Sequence, residues 1–177
     1  MNHPEQLPDK QAIWTGKYIR LVLRGAWEFV ERVNLSGIVG IIPITDEGKL
    51  VLVEQFRVPV GAAVIELPAG LVGDVRGNEE EAMETAARRE LIEETGYDPA
   101  RLVRLYEGAP SAGLSNEHIT IFLAGGLRKV GPGGGDHTED IVVHEVAGPE
   151  LPGWLEARRA EGKVIDIKVY LALPYCH

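Results

Sequence analysis

The stretch from Glu81 to Tyr97 constrains this chain most, because it predicts a helix with carboxylates crowded onto one side. Glu90 and Glu94 are four residues apart and therefore share a helix face, and Glu93 falls within the same arc of about 100°. Like charges at this spacing repel one another by about 0.2–0.5 kcal/mol per pair. A divalent cation would convert that repulsion into binding, because Mg²⁺ and Mn²⁺ accept oxygen ligands. The alternative is an ordinary charged helix exposed to solvent.

The size and composition of the chain are those of a single globular domain. It has 177 residues, of which 45% are apolar and 25% are charged. The longest apolar runs, such as Ile38 to Ile44, are too short to cross a bilayer. The first ten residues lack the basic start and apolar stretch of a signal peptide. The lone Cys176 cannot form an internal disulfide, so we expect a reducing, cytoplasmic setting.

The formal net charge of −9 narrows the range of partners. Nonspecific binding of nucleic acid needs basic surface, so we expect no nucleic-acid partner. An acidic chain also repels any ligand that carries phosphate groups. A bound divalent cation would remove that conflict, and the crowded carboxylates are where it would be held.

Patterns along the chain predict strands where apolar or β-branched residues alternate, and helices where the apolar period is longer. The predicted strands are Lys17–Leu23, Trp27–Val33, Ser36–Thr45, Lys49–Phe56, Val64–Leu67, Leu102–Tyr106, Ile119–Ala124 and Ile141–Val146. The predicted helices are Glu79–Thr95, Leu151–Gly162 and Ile165–Leu173. Residues 131–135, here named the glycine loop, are predicted to be flexible. The fold class is therefore α/β, with a mixed sheet between helices and a small N-terminal antiparallel sheet.

The residues around the acidic helix match a known signature, G-x5-E-x7-R-E-U-x-E-E-x-G-U, in which U is apolar or aromatic. The matching residues, from the first glutamate onward, are Glu81, Arg89-Glu90-Leu91, Glu93-Glu94, Gly96 and Tyr97. In this respect the chain resembles the Nudix hydrolase family. The opening glycine of the signature falls on Val75 by strict count, so its equivalent is Gly70 and the intervening loop is about five residues longer.

The resemblance implies a Nudix fold, with residues 36–177 as the hydrolase domain and residues 1–35 as a β-hairpin used for dimerisation. It also implies hydrolysis of a nucleoside diphosphate linked to another group, with Mg²⁺ as cofactor and Mn²⁺ as the alternative. The family branch considered next further implies a homodimer that exchanges its N-terminal strands.

Segments outside the signature resemble ADP-ribose pyrophosphatases and related nucleotide-sugar hydrolases. These segments are residues 25–32, 53–59, 65–71, 110–117 and 139–144. ADP-ribose is therefore the expected substrate, cleaved to a nucleoside monophosphate and a sugar phosphate. These enzymes usually carry a proline about fifteen residues beyond the signature, whereas this chain has Ala112 there. That departure leaves GDP-sugars, or a broad range of nucleotide sugars, as alternatives.

The candidate metal ligands are acidic side chains of the signature, with one backbone group added by the resemblance. They are Glu90, Glu94, Glu93, Glu81 and the backbone carbonyl of Ala69. Glu93 is also a catalytic candidate. Glu139 is the candidate that activates water, because it follows the glycine loop, which could close over the site. His137 and Asp140 are alternatives to it, and so is a plain role for Glu139 as a solvated loop acid.

Other residues are candidates for substrate binding. Arg57 is expected to contact phosphate or sugar, since a guanidinium fork matches phosphate oxygens, and a surface salt bridge is the alternative. Trp27 is expected to stack on a nucleobase, with packing between subunits as a compatible alternative. The remaining candidates are Glu28, Arg32, Glu66, Leu71 and Gly113. For Glu66, an ion pair with an arginine at the strand end is the alternative.

Two rival functions differ from nucleotide-sugar hydrolysis in what they require of the sequence. A hydrolase of nucleoside triphosphates would be shorter and would lack both the N-terminal hairpin and the run from Ile65 to Leu71. A Nudix-fold sensor that binds a nucleotide sugar without cleaving it would lose signature acids or carry a DNA-binding segment. This chain keeps the acids, so metal-dependent hydrolysis of a nucleotide sugar is the leading hypothesis.

Overall fold

The computed structural model describes residues 7–33, 36–73, 82–135 and 140–176, and most of their regular structure is β-strand. In chain order the elements are β1 (Lys10–Thr15), β2 (Ile19–Arg24), β3 (Trp27–Arg32), β4 (Gly37–Pro43), β5 (Lys49–Arg57), β6 (Ala62–Glu66), β7 (Ala69–Val72), α1 (Met83–Thr95), β8 (Tyr97–Gly108), β9 (Ile119–Lys129), β10 (Val142–Ala147), α2 (Leu151–Ala160), β11 (Val164–Ile165) and a C-terminal 3₁₀ segment (Ile167–Tyr175). Across these described ranges, every helix is too short or too polar to traverse a lipid bilayer.

The strands of the described residues pair into three sheets. The N-terminal sheet is antiparallel, in the order β1-β2-β3. The second sheet has the order β10-β5-β6-β11 and the third has the order β7-β4-β9-β8. Each of these two sheets is mixed, because β6 runs parallel to β11 and β4 runs parallel to β9. The predicted α/β class is confirmed, with the mixed sheet divided into two sheets of four strands.

Both faces of β4 are buried, which is why this segment is apolar at nearly every position. Val39 and Ile41 belong to a core cluster that includes Ala87 and Leu91 of α1. Ile42 belongs to a second cluster, which also contains residues of β5, β6, α2 and the 3₁₀ segment. The third sheet therefore carries α1 on one face and meets the second sheet and the C-terminal elements on the other.

The C-terminal end of α1 is closed by backbone groups of the glycine loop. Gly96 ends the helix in the left-handed conformation, with φ of 72°. The N–H of Gly134 donates to the carbonyl of Glu94 at 2.8 Å, and the N–H of Gly135 donates to the carbonyl of Glu93 at 3.0 Å. A helix end leaves such carbonyls unpaired. The loop that was predicted to be flexible from its composition is thus anchored along the helix end.

The N-terminal sheet is attached to the segment after β8 through three successive residues of β3. The pairs are Val30 with Leu114, Glu31 with Asn116, and Arg32 with Glu117. Glu31 is buried and also accepts hydrogen bonds from Lys10 and Arg20. Burial alone would raise the pKa of Glu31, but the hydrogen bonds and charges of these two cations outweigh it and hold the pKa below its ordinary value.

Most predicted strands are confirmed where alternation was clearest. The hairpin of β2 and β3 forms with Arg24 opposite Trp27. Strands β4, β5 and β6 occupy the three segments predicted for them, with shifts at their ends. Strands β8 and β9 are much longer than predicted, because they continue as an antiparallel ribbon as far as the pairing of Tyr97 with Lys129.

Other predictions of element bounds and type are wrong. The helix does not include Ala82, whose backbone is extended with φ of −68° and ψ of 144°, so α1 begins at Met83. Residues 79–81, the start of the predicted helix, lie outside the described residues. The segment Ile165–Leu173 is not an α-helix, because Ile165 ends β11 and a 3₁₀ segment follows it. Strands β1 and β7 have no counterpart among the predicted elements.

Substitution of Gly96 tests how firmly the glycine loop is held against α1. In Gly96→Ala the new Cβ would lie 2.1 Å from the carbonyl oxygen of Gly131. Alanine in a left-handed conformation costs about 1–2 kcal/mol, and displacement of the packed loop adds about 1–3 kcal/mol. We expect the free energy of unfolding, measured by urea denaturation, to fall by the sum of the two terms.

Gly61→Ala is the matched control for the backbone term. Gly61 has nearly the same φ, +70°, but no atom lies within 4 Å of an added Cβ. This variant should therefore lose only the backbone contribution of about 1–2 kcal/mol. Equal losses in the two variants would mean that the glycine loop moves aside freely.

Candidate active site

A cleft of about 520 Å³ lies between β3, the ends of β5, β6 and β7, and α1. Its wall combines acidic, basic and apolar side chains from distant parts of the chain. The lining residues are Arg32, Ile38, Arg57, Glu66, Ala69, Gly70, Leu71, Glu90, Glu94, Pro110, Glu117, Ile119 and Lys168. Seven of the predicted site residues are thus brought together: Arg32, Arg57, Glu66, Ala69, Leu71, Glu90 and Glu94.

The acidic part of the cleft is formed by Glu90 and Glu94 on the face of α1 that packs against β7. Both side chains are buried, with relative exposures of 9% and 3%. Oε2 of Glu94 accepts a hydrogen bond from the backbone N–H of Ala69 at 3.1 Å. Burying a carboxylate costs free energy unless charged or polar groups replace its lost hydration. The fold must therefore supply such partners to Glu90 and Glu94.

Arg89 links the acidic face of α1 to β7. Its Nη1 donates to Oε1 of Glu90 at 2.8 Å and lies 3.4 Å from Oε2 of Glu93. Its Nη2 donates to the carbonyl oxygen of Leu71 at 3.0 Å. The guanidinium group therefore compensates charge on the helix and fixes the distance between helix and strand.

Gly70 is the residue of β7 that faces Glu90 most closely. A Cβ at this position would lie 1.9 Å from Cδ of Glu90 and 2.1 Å from its Oε1. Only a residue without a side chain leaves room for the carboxylate where it is. This close approach gives a physical reason for glycine at the position that the sequence comparison matched to the opening glycine of the signature.

Three cationic side chains line the same cleft, and each is paired with a carboxylate. The pairs are Arg57 Nε with Glu66 Oε2 at 2.7 Å, Arg32 Nε with Glu117 Oε1 at 2.6 Å, and Lys168 Nζ with Asp166 Oδ2 at 2.5 Å. The cations come from the second sheet, the N-terminal sheet and the C-terminal segment. Their carboxylate partners orient them, so the cleft offers cationic donors in fixed positions beside its buried acids.

Several predicted site residues lie elsewhere in the structure. Trp27 is 71% exposed and, with Gly113, lines a separate cavity of about 610 Å³. Glu28 is exposed on β3, and Glu93 is an exposed residue of α1 that is absent from the cleft wall. Asp140 is exposed at the edge of a gap in the described residues. The candidates Glu81, Glu139 and His137 lie outside the described residues.

Two polar residues of the cleft, Glu117 and Lys168, were missed by sequence reasoning. Glu117 falls within the segment 110–117 that resembled related enzymes, so a signal for it existed. Lys168 carries no such signal, because only tertiary structure brings it to the cleft.

Within residues 7–33, 36–73, 82–135 and 140–176, no group of three His, Cys, Asp or Glu side chains is placed to hold a metal ion.

Comparison with known proteins identifies the family. Residues 35–162 match the family model described as the NUDIX domain. The chain belongs to the Nudix family. The ADP-ribose pyrophosphatase of Bacillus subtilis (strain 168) is 32% identical to it over 178 residues, which cover 94% of this chain and 89% of that protein. The methanol dehydrogenase activator of Bacillus methanolicus is 31% identical over 172 residues, covering 93% and 88%.

A solved structure described as an ADP compounds hydrolase has the same fold. It superposes on this Nudix protein with a TM-score of 0.67 at 21% identity, covering 84% of this chain and 82% of the other. Together with the family match, the relatives confirm the Nudix pyrophosphohydrolase predicted from the sequence and its likeness to ADP-ribose pyrophosphatases.

Gly70→Ala tests whether the position of the Glu90 carboxylate matters for hydrolysis by this Nudix protein. The added methyl group forces that carboxylate away from β7, so we expect kcat/KM to fall at least about tenfold and half-maximal activity to need a higher concentration of divalent cation. The free energy of unfolding should fall by about 1–3 kcal/mol, which leaves the protein folded. Steady-state kinetics across a Mg²⁺ titration, with circular dichroism, measure both effects.

The matched control is Gly153→Ala in α2, where no atom lies within 4 Å of the new Cβ. Its kinetics should equal those of the wild type. If Gly70→Ala also retained wild-type kinetics at every Mg²⁺ concentration, the close contact with Glu90 would have no catalytic importance.

Proposed function

We propose that this protein hydrolyses the diphosphate bond of a nucleoside diphosphate sugar, with ADP-ribose as the first substrate to test. The products are a nucleoside monophosphate and a sugar phosphate. The observation that carries the proposal is the cleft itself, where buried Glu90 and Glu94 lie beside the oriented guanidinium groups of Arg57 and Arg32. Carboxylates suit a divalent cation and the cationic groups suit phosphate oxygens, and a diphosphate needs both.

We propose Mg²⁺ as the cofactor, with Mn²⁺ as the alternative, because the cleft offers carboxylate oxygens. Glu90 and Glu94 supply hard oxygen donors on one helix face, and Ala69 lies beside them on β7. We propose Glu93 and Glu81 as further ligands and the carbonyl of Ala69 as a backbone ligand. When bound, the cation neutralises charge on the diphosphate and lowers the pKa of a water molecule that attacks it.

The remaining polar residues of the cleft position the substrate. Arg57, held by Glu66, presents a guanidinium group to the diphosphate, and Arg32, held by Glu117, presents a second one. Leu71 contributes to the wall of the same cleft.

A general base must take a proton from the attacking water, and Glu139 is proposed for this step, with His137 and Asp140 as alternatives.

The nucleobase is proposed to lie against the N-terminal sheet. Trp27 presents an exposed ring on a cavity that Phe29 and Gly113 also line, and an aromatic face stacks on any base. Glu28 of β3 is proposed as a further contact of the substrate. Ile13, Trp14, Tyr18, Ile19 and Trp27 are large apolar or aromatic side chains that are exposed on this sheet or on its β1–β2 turn.

Several large apolar side chains exposed on one small sheet favour an interaction surface there. We propose that a second copy of the chain covers it, through exchange of N-terminal strands in a homodimer. In that arrangement residues 1–35 serve for dimerisation and residues 36–177 for hydrolysis. The cytoplasmic location stays a prediction.

A substrate panel tests the proposed reaction. Wild-type protein is incubated with Mg²⁺ or Mn²⁺ and ADP-ribose, other ADP-sugars, GDP-sugars or nucleoside triphosphates, and the products are separated by ion-exchange chromatography. We expect nucleoside monophosphate and sugar phosphate in equal amounts. Glu94→Gln should lower turnover by at least about a hundredfold, since glutamine keeps the acceptor for the Ala69 N–H but loses the charge.

Glu84→Gln is the control, because Glu84 is an exposed acid in the first turn of the same helix. It should retain wild-type turnover. Nucleotide sugars that bind but stay intact with both metal ions would replace the enzyme with a sensor. Preferential cleavage of triphosphates would instead indicate a nucleoside triphosphate hydrolase.

Trp27→Ala separates the two proposed roles of the indole ring. Loss of base stacking should raise KM for the nucleotide sugar by about tenfold while kcat stays within about twofold, consistent with a stacking contribution of about 1–3 kcal/mol. Sedimentation velocity reports the dimer in the same samples. An unchanged KM would reject the base site, and a monomeric wild-type protein would reject the dimer.

A further inference from the structure

We propose that Lys168 determines specificity for the non-nucleoside half of the substrate, the sugar attached to the diphosphate. This inference rests on the proposed function and adds a residue to the cleft that neither the signature nor the family comparison assigns. It follows from the way in which the C-terminal segment reaches the cleft.

The position of Lys168 is set by the short parallel pairing of β6 and β11. Val164 pairs with Val64 and Ile165 pairs with Ile65. The next residue, Asp166, extends this register, because its N–H donates to the carbonyl of Ile65 at 2.9 Å. The C-terminal segment therefore enters the cleft beside the end of β6, the strand that carries Glu66.

Asp166 then fixes Lys168 in two ways. Its Oδ1 accepts the backbone N–H of Lys168 at 2.7 Å, which caps the 3₁₀ segment. Its Oδ2 pairs with the ammonium group of Lys168 at 2.5 Å. The lysine side chain is only 22% exposed, so its usual freedom is reduced. An ammonium group has three donors, and a ligand in the cleft can accept from those that Asp166 does not use.

The surroundings of Lys168 assign it to the sugar side of the cleft. Lys168, Pro110 and Ile119 line both the cleft and an adjoining groove of about 500 Å³. No residue of the N-terminal sheet lines that groove in the described part of the chain. A base held at Trp27 lies against the N-terminal sheet, so the other half of the substrate extends towards Lys168. Hydroxyl groups of a sugar are suitable acceptors for its ammonium donors.

The test compares two ligands that differ only beyond the diphosphate. One is ADP-ribose and the other is the methyl ester of ADP, which keeps the base and diphosphate but has no sugar there. In Lys168→Met we expect two values for ADP-ribose to rise about tenfold, because a hydrogen bond to a charged donor is lost. They are KM and the calorimetric Kd measured without divalent metal, so that ADP-ribose stays intact. The Kd for the methyl ester should stay within about twofold.

Lys163→Met is a matched control. Lys163 is 21% exposed and ion-paired with Glu54 at 2.8 Å, like Lys168 with its aspartate, but it is absent from the cleft wall. Both variants remove one partly buried ammonium group, so their urea denaturation curves should shift alike. Only Lys168→Met should change the preference between the two ligands.

The calorimetric measurement separates failure of this inference from failure of the proposed reaction. Equal weakening of both ligands would assign Lys168 to the shared diphosphate and overturn specificity for the sugar. No weakening of either, or no binding of ADP-ribose by wild-type protein, would overturn it as well. If the contrast in Kd appears while the wild type cleaves nothing, the role of Lys168 stands and the hydrolysis proposal fails.

Discussion

Burial of two like-charged carboxylates on one helix face is the interaction on which the rest of the site depends. Glu90 and Glu94 lose hydration when α1 packs on β7, and that loss is large unless partners replace the water. Arg89 and the N–H of Ala69 are two such partners, and Gly70 leaves the space. The helix therefore packs this closely at only one register against the strand. Cationic residues of the cleft from three other parts of the chain are then positioned relative to that register.

The glycine loop serves the same helix by different means. Added side chains at Gly96 and Gly133 would overlap backbone atoms of the loop and the helix end, at 2.1 Å and 2.5 Å. The glycines thus provide close approach between two backbones, and their N–H groups satisfy the last helical carbonyls. Composition alone suggests mobility for such a segment, because it cannot distinguish glycine used for flexibility from glycine used for contact.

Sequence reasoning located the parts of the site that are local in the chain. Four-residue spacing placed Glu90 and Glu94 together, and alternation identified β4, β5 and β6, because both signals arise within one element. It failed where a feature depends on pairing between distant segments. Lys168 reaches the cleft through a strand of two residues, β11, which is too short to show a pattern. Likewise, the exposed β1 is defined only by its partner β2.

The pairing of β11 with β6 has a consequence for how the protein folds. Ile165 meets Ile65 across an intervening chain of about one hundred residues, so the contact carries a high entropic cost of loop closure. Such contacts form after local ones. The acidic helix and its neighbouring strands are therefore expected to assemble before the wall that holds Lys168. A chain caught at that stage would carry its carboxylates in place and still lack one side of the cleft, so the acidic helix and the wall that holds Lys168 would be completed at different stages of folding.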